Sequence, residues 1–407
     1  MRWPRLSPTL SGMEAPRTPA PAGPLAGIRV LDLSRLLPGP YCSLLLAQLG
    51  AEVIKVETPL AGDYARMAPA ELGFGGVFEA LNRGKRSVAI DYRKPRGRDL
   101  LLKLAETADV FIESSRPGRL DQCGLGAVIV RDANPQIVYC SISGYGQTGP
   151  HRDKPGHDID YLAMSGVLSL LGPAGAPPTP PGMQLADIAT GTFAAARILA
   201  ALIGRSTTGY GVYLDVAAID GPVSWLGTLG HAVERAGAAP GPMSGAYPCY
   251  GTYRAADGRY LAVGALEVQF WRAFCEGLGR EDLLARQFDP EAIAVVAEAM
   301  ATRPSGEWLD RFADDACVAS VRTPAEALDD EYVRRRGFGP MPDRPAPALG
   351  ADTDDVLAET GIAPTVVQKL MRSGVVTGMQ SAARAARAAR LSAMLARRRH
   401  PQPQQTS

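Results

Sequence analysis

From residue 27 onward, short apolar runs of strand length alternate with single segments of helix length. Ile28-Arg-Val-Leu-Asp-Leu33 reads as a buried strand and Pro38-Gly-Pro40 as a turn that sets a proline at a helix start. Residues 41–49 read as a helix that stops at Gly50, and Glu52-Val-Ile-Lys-Val56 as the next strand. A helix inserted between two strands lets them pair in parallel, which a hairpin cannot do. The pattern repeats with strands over 87–92, 110–113 and 136–143, and Pro95 opens a helix to about residue 107. It therefore predicts an α/β layered sheet, whose ligands lie at the carboxyl ends of the strands. That rule favours the loops after Glu57, Tyr92, Glu113 and Ser143.

The 407 residues suffice for two to three domains at roughly 150 residues each. The proline-rich stretch 1–24 has no apolar periodicity and reads as a disordered leader, with Met13 as an alternative start. Residues 25–225 form the large domain. Residues 226–329, with linkers, form a smaller α+β domain, in which 251–263 reads as a hairpin turning at Asp257-Gly258. Residues 330–375 form one more segment, helical over 352–374. The tail 376–407 carries arginine at every third position over 381–390 and reads as a basic, disordered appendage.

Basic residues number 43 and acidic residues 42, so no bulk charge draws the chain to nucleic acid. The longest apolar stretch, residues 191–204, contains Arg197 and falls short of roughly 18 to 20 uncharged residues, so no membrane partner is expected. The six cysteines are scattered, with no C-x-x-C pair. They read as free thiols rather than a zinc site or disulfide framework, which fits a reducing, cytoplasmic setting.

Residues 184–204 give the strongest helix signal, closed by Gly204, with Asp187 in the first turn. Of the four histidines, His157 stands between a glycine and two nearby carboxylates, in Gly156-His-Asp-Ile-Asp160. Taken alone, His157 fits an ordinary hydrogen-bonded loop histidine and Asp187 a helix cap better than a catalytic pair. Arg83, Lys85 and Arg86, followed by Arg93, Lys94, Arg96 and Arg98, read equally as phosphate contacts or as a solvated face. No Walker A, G-x-S-x-G or H-E-x-x-H pattern occurs.

Five segments together resemble the class III CoA-transferase superfamily over roughly residues 25–375: 25–34, Leu49-Gly-Ala-Glu-Val-Ile-Lys-Val-Glu57, Asn82-Arg-Gly-Lys-Arg-Ser87, Glu113-Ser-Ser-Arg-Pro-Gly118 and 143–150. Gly156-His-Asp-Ile-Asp-Tyr-Leu162 and residues 262–270 resemble its α-methylacyl-CoA racemase branch. The resemblance implies 1,1-proton transfer beside a thioester carbonyl through an enolate, with His157 and Asp187 as the two acid/bases and no metal or redox cofactor. It assigns CoA, as part of the substrate, to Ile90, Asp91, Tyr92 and Arg93, to Ser114, Ser115 and Arg116, and to Asp158.

The resemblance also implies an interlocked homodimer in which each chain has a Rossmann-like large domain with a parallel sheet and a small α+β domain, with residues 330–375 returning to the large domain. In the transferase branch Asp187 would instead carry an acyl and then a CoA thioester intermediate. A CoA-binding protein without turnover is the remaining alternative. Three positions depart from the family pattern: Gly251, where some racemases carry a glutamate, and Thr58 and Gln122, where relatives place basic residues on the CoA phosphates.

Overall fold

The structure, a computed structural model, describes residues 23–67, 75–172, 176–229, 242–312, 316–336 and 344–378. Most of the expected leader, with Met13, and the arginine-rich tail from residue 379 lie outside the described residues, as do His231 and His400.

The large sheet is built from β1 (Arg29–Asp32), β2 (Glu52–Glu57), β3 (Arg86–Ile90), β4 (Val110–Glu113), β5 (Val138–Ser143) and β6 (Tyr213–Ala217). These six run parallel in the order 3-2-1-4-5-6. The strands read as apolar runs because both faces are covered. Leu31, Ile54 and Phe111 pack into one core, while their neighbours Val30, Val53 and Val110 pack into the core on the opposite face. The second core is closed by the helices Pro38–Gln48 and Leu185–Thr208, through Leu46, Ala194 and Ile198.

The helix expected to stop at Gly204 continues to Thr208 and ends at Gly209, whose φ of 74° is the left-handed conformation of a C-terminal cap. Gly204 is an ordinary helical residue. At 24 residues this helix is long and apolar enough to cross a membrane, contrary to the expectation from sequence, although it packs on the sheet through Ala194, Ala195 and Ile198. The strand β6 that follows was not anticipated.

Strands β7 (Tyr250–Arg254), β8 (Tyr260–Gly264) and β9 (Val318–Ser320) form a separate antiparallel sheet. The hairpin turns where expected, with Gly258 at φ 82°. Its core is aromatic, Trp271, Phe274, Trp308 and Phe312 stacking against one another. The chain then returns: β10 (Val376–Thr377) pairs antiparallel with β3, and the helices Thr353–Glu359 and Pro364–Arg372 pack into the core of the large sheet.

Lys85 and Arg86 belong neither to a solvated face nor to a phosphate site. The Lys85 ammonium is fully buried, donating to Asp32 Oδ2 at 3.1 Å, Ser43 Oγ at 2.7 Å and Asn82 Oδ1 at 2.9 Å. Burial pulls it down to about 8. Buried charges persist only when paired, and Asp32 serves Lys85 at 3.1 Å and Lys55 at 4.0 Å. Arg86 bridges Glu52 and Glu359, the latter at 2.8 Å, so it ties β3 to the returning segment.

Candidate active site

In the order 3-2-1-4-5-6 the connections leave β1 and β4 toward opposite edges of the sheet, which opens a crevice at the carboxyl ends of these two strands. A cleft of about 670 Å³ lies there. Its walls come from Leu36–Pro38 after β1, Ser114–Pro117 after β4, Ser143 and Gly144 after β5, and Ala218 after β6. The floor carries both residues singled out from the sequence, His157 and Asp187.

His157 is exposed and immediately precedes the helix Asp158–Ser165. Its loop is fixed by aromatic packing. The Tyr161 hydroxyl donates to the Gly156 carbonyl at 2.7 Å, and a Cβ at Gly156 would stand 2.8 Å from the Tyr161 ring and 2.9 Å from the Tyr145 hydroxyl. Only glycine fits that approach. The two carboxylates flanking His157 in sequence are both engaged by backbone. Asp160 Oδ2 accepts from the His157 N–H at 2.9 Å, and Asp158 Oδ1 accepts from the Asp187 N–H at 2.9 Å.

Asp187 sits in the first turn of the helix Leu185–Thr208, yet its carboxyl does not cap that helix. The start is served by Asp158, whose Oδ1 accepts the Asp187 N–H. The Asp187 carboxyl is thereby left to the cleft. Its burial, and secondarily the Asp158 carboxylate beside it, push it up to about 7, with a long 3.4 Å hydrogen bond from Gln184 as partial offset. A carboxyl tuned to that range holds either protonation state near neutral pH.

The residues assigned to CoA from the sequence divide into two groups. Ser114, Ser115 and Arg116 line the cleft. The Arg35 N–H donates to Ser114 Oγ at 2.9 Å, and the Ser115 N–H to Glu113 Oε2 at 2.6 Å, so this loop is held from below. Ile90 is fully buried in the sheet core and paired with Val376. Asp91 accepts from Arg93 at 2.8 Å and Tyr92 packs on the same core, so 90–93 lie outside the cleft lining. Asp158 points its carboxylate at the helix start described above. Gly251 lies in β7, with no atom within 4 Å of a Cβ placed on it, and it does not line the cleft. Gln122 accepts from Arg119 at 3.2 Å.

The sequence did not single out the loop after β1 or the loop after β6. The first carries a signal visible only in the structure: Leu36 has φ 65°, a left-handed conformation costly for a branched side chain, held by its N–H donating to Asp63 Oδ1 at 3.1 Å. The second follows a strand that was not anticipated.

The model of CoA-transferase family III matches residues 25–353. Human alpha-methylacyl-CoA racemase is 34% identical over 385 residues, covering 86% of this chain and 97% of that protein. Succinyl-CoA:mesaconate CoA-transferase of Haloarcula marismortui is also 34% identical, over 366 residues, covering 84% of this chain and 90% of that protein. Among solved structures, a CAIB/BAIF family protein from Brucella suis superposes with a TM-score of 0.74 at 29% identity, over 83% of this chain and 100% of that one.

Proposed function

The chain belongs to CoA-transferase family III, and within it we propose an acyl-CoA racemase or epimerase that interconverts (2R)- and (2S)-2-methylacyl-CoA thioesters by 1,1-proton transfer. The observation that carries this reading is the pair His157 and Asp187 in one cleft, an exposed imidazole facing the same space as a carboxyl held near 7. In one direction the neutral imidazole takes the α-proton and leaves an enolate, and protonated Asp187 delivers a proton to the opposite face. In the other direction the carboxylate takes the proton and the imidazolium returns one. Acid and base suffice for this scheme, without a cofactor.

The enolate oxygen requires hydrogen-bond donors. The start of the helix Leu185–Thr208 is a poorer source because the Asp187 N–H is taken by Asp158 and the Leu185 N–H by the Met183 carbonyl. The Asp158 and Ile159 N–H groups at the start of the helix Asp158–Ser165, beside His157, take that role in our reading, the Asp160 N–H being engaged by the His157 carbonyl at 2.8 Å. The same proposal includes a homodimer, supported by apolar side chains left uncovered near the cleft, among them Ile159, Met183 and Trp225. A cytoplasmic setting is supported by six free thiols.

A second reading is favoured by the transferase relatives, which stand at the same identity as the racemases. There, Asp187 would attack an acyl-CoA as carboxylate, forming a mixed anhydride with release of the CoA thiolate, which then attacks the aspartyl carbonyl, expels the donor acid as a free carboxylate and leaves an aspartyl-CoA thioester. Proton NMR of a 2-methylacyl-CoA in heavy water separates the two. The racemase predicts loss of the α-hydrogen signal with scrambling of the stereocentre and no acyl transfer to an added carboxylic acid. His157→Ala should slow that exchange by roughly 10²- to 10⁴-fold. Exchange retained in His157→Ala would refute the two-base assignment, and transfer without exchange would establish the second reading.

A further inference from the structure

Asp158 directly follows His157 in the chain and reaches across to the helix that carries Asp187. Helix starts are ordinarily capped by the residue just before them, but here Gln184 makes no side-chain cap bond. The carboxylate that serves the start comes from 29 residues earlier, accepting the Asp187 N–H at 2.9 Å. Its side chain is buried, and it begins its own helix, whose N-terminal turn is closed by Asp160 on the His157 N–H.

We propose that Asp158 is the positioning residue of this site: one side chain locks together the two backbone turns that present His157 and Asp187, and sets a like charge beside the Asp187 carboxyl. The inference rests on the two-base reading for its chemistry, but its electrostatic half does not depend on turnover. Burial raises the Asp158 carboxyl, and the hydrogen bond it accepts from backbone N–H opposes that rise; once Asp158 is ionised, a like charge this close disfavours ionisation of Asp187. The other titratable groups lining the cleft with Asp187 are His157 and Tyr161 from the neighbouring helix and its lead-in, with Tyr64, Asp153, Arg35, Arg116, Arg152 and Lys154 on the cleft loops. Burial is the larger cause of the Asp187 elevation and the Asp158 carboxylate the second, with the Gln184 hydrogen bond as partial offset.

The test titrates Asp187 directly, by carbon NMR of the aspartate carboxyls in labelled full-length protein, with Asp187→Asn providing the assignment. Asp158→Asn keeps a carbonyl acceptor at the helix start and removes the charge. It should lower the Asp187 midpoint by at least about one pH unit, a tenfold change in its dissociation constant. The limb of the α-proton exchange profile governed by Asp187 should move acidward by the same amount. Asp158→Ser, a second neutral capping residue type, should act in the same way. Asp158→Glu, which retains the charge, should leave the midpoint near that of the native protein.

An Asp187 midpoint unmoved in the neutral variants overturns the inference. So does a result in which neither neutral variant folds while Asp158→Glu does, because the residue would then serve the fold alone. If native protein shows no exchange while the midpoint shifts as stated, the racemase reading fails and the electrostatic role of Asp158 stands.

Discussion

At the scale of single residues, the cleft stores an electrostatic cost in Asp187. Its carboxyl titrates near 7 in the fold and near 3.8 in an unfolded chain, so between those values the folded state holds a proton that the unfolded state releases. Native stability from this group is therefore unpenalised below pH 4, declines as pH rises from 4 to 7, and stays reduced above 7. A shift of this size corresponds to at most about 4 kcal/mol. Asp187→Asn should then raise the unfolding temperature at pH 8 and have almost no effect at pH 4, as differential scanning calorimetry at the two pH values would show. An equal effect at both would mean that the carboxyl titrates normally. Why Asp187 was more readily taken for a cap from the sequence is clear at this scale: an acid in a first turn is the usual capping pattern, and the group that displaces it comes from another helix.

Among elements, the helix Leu185–Thr208 shows how two glycines in one helix serve opposite purposes. A Cβ on Gly191 would lie 2.6 Å from the Pro38 carbonyl and 2.9 Å from the Tyr41 ring, so Gly191 is what lets this helix press onto the helix Pro38–Gln48. Gly204 has no atom within 4 Å of a Cβ and lies in the helix interior. Gly191→Ala should cost roughly 1–3 kcal/mol through overpacking. Gly204→Ala should gain roughly 0.5–1 kcal/mol through helix propensity. Urea denaturation of the pair gives the signs, and a destabilised Gly204→Ala would restore the helix end at 204 that the sequence suggested. Glycine is the commonest helix terminator, which is why the pattern stopped there. Gly209 terminates the helix instead, because it alone of the two adopts the left-handed conformation that turns the chain. The Asp257-Gly258 hairpin was legible because its turn chemistry is local. Strand β10 was not, because it is two residues long and exists only by pairing with β3.

For the molecule as a whole, the large sheet is completed by residues far along the chain. The strand–helix alternation made the parallel sheet legible. The strand order was not, because β1 and β4 become neighbours only through the reversal that no local pattern records, and with it the cleft wall after β1 stayed hidden. The same holds for the closing segment. Asp352 Oδ2 accepts from the Ser87 N–H at 2.8 Å, the Gly350 N–H donates to Ser87 Oγ at 2.9 Å, and Thr353 Oγ1 accepts from the Ala89 N–H at 3.1 Å, all on β3. Val356, Leu357, Val367, Leu370, Val375 and Val376 then cover that side of the sheet. Side chains of this kind each contribute roughly 1.5–3 kcal/mol on burial, and six together match the 5–15 kcal/mol by which a domain exceeds its unfolded state. A chain ended at residue 345 should therefore fail to fold, giving insoluble protein or a non-cooperative thermal transition. One ended at residue 378 keeps every contact described here and should melt cooperatively. A soluble, cooperatively folding chain of 345 residues would show that the first six strands carry their own core and that the returning segment only decorates it.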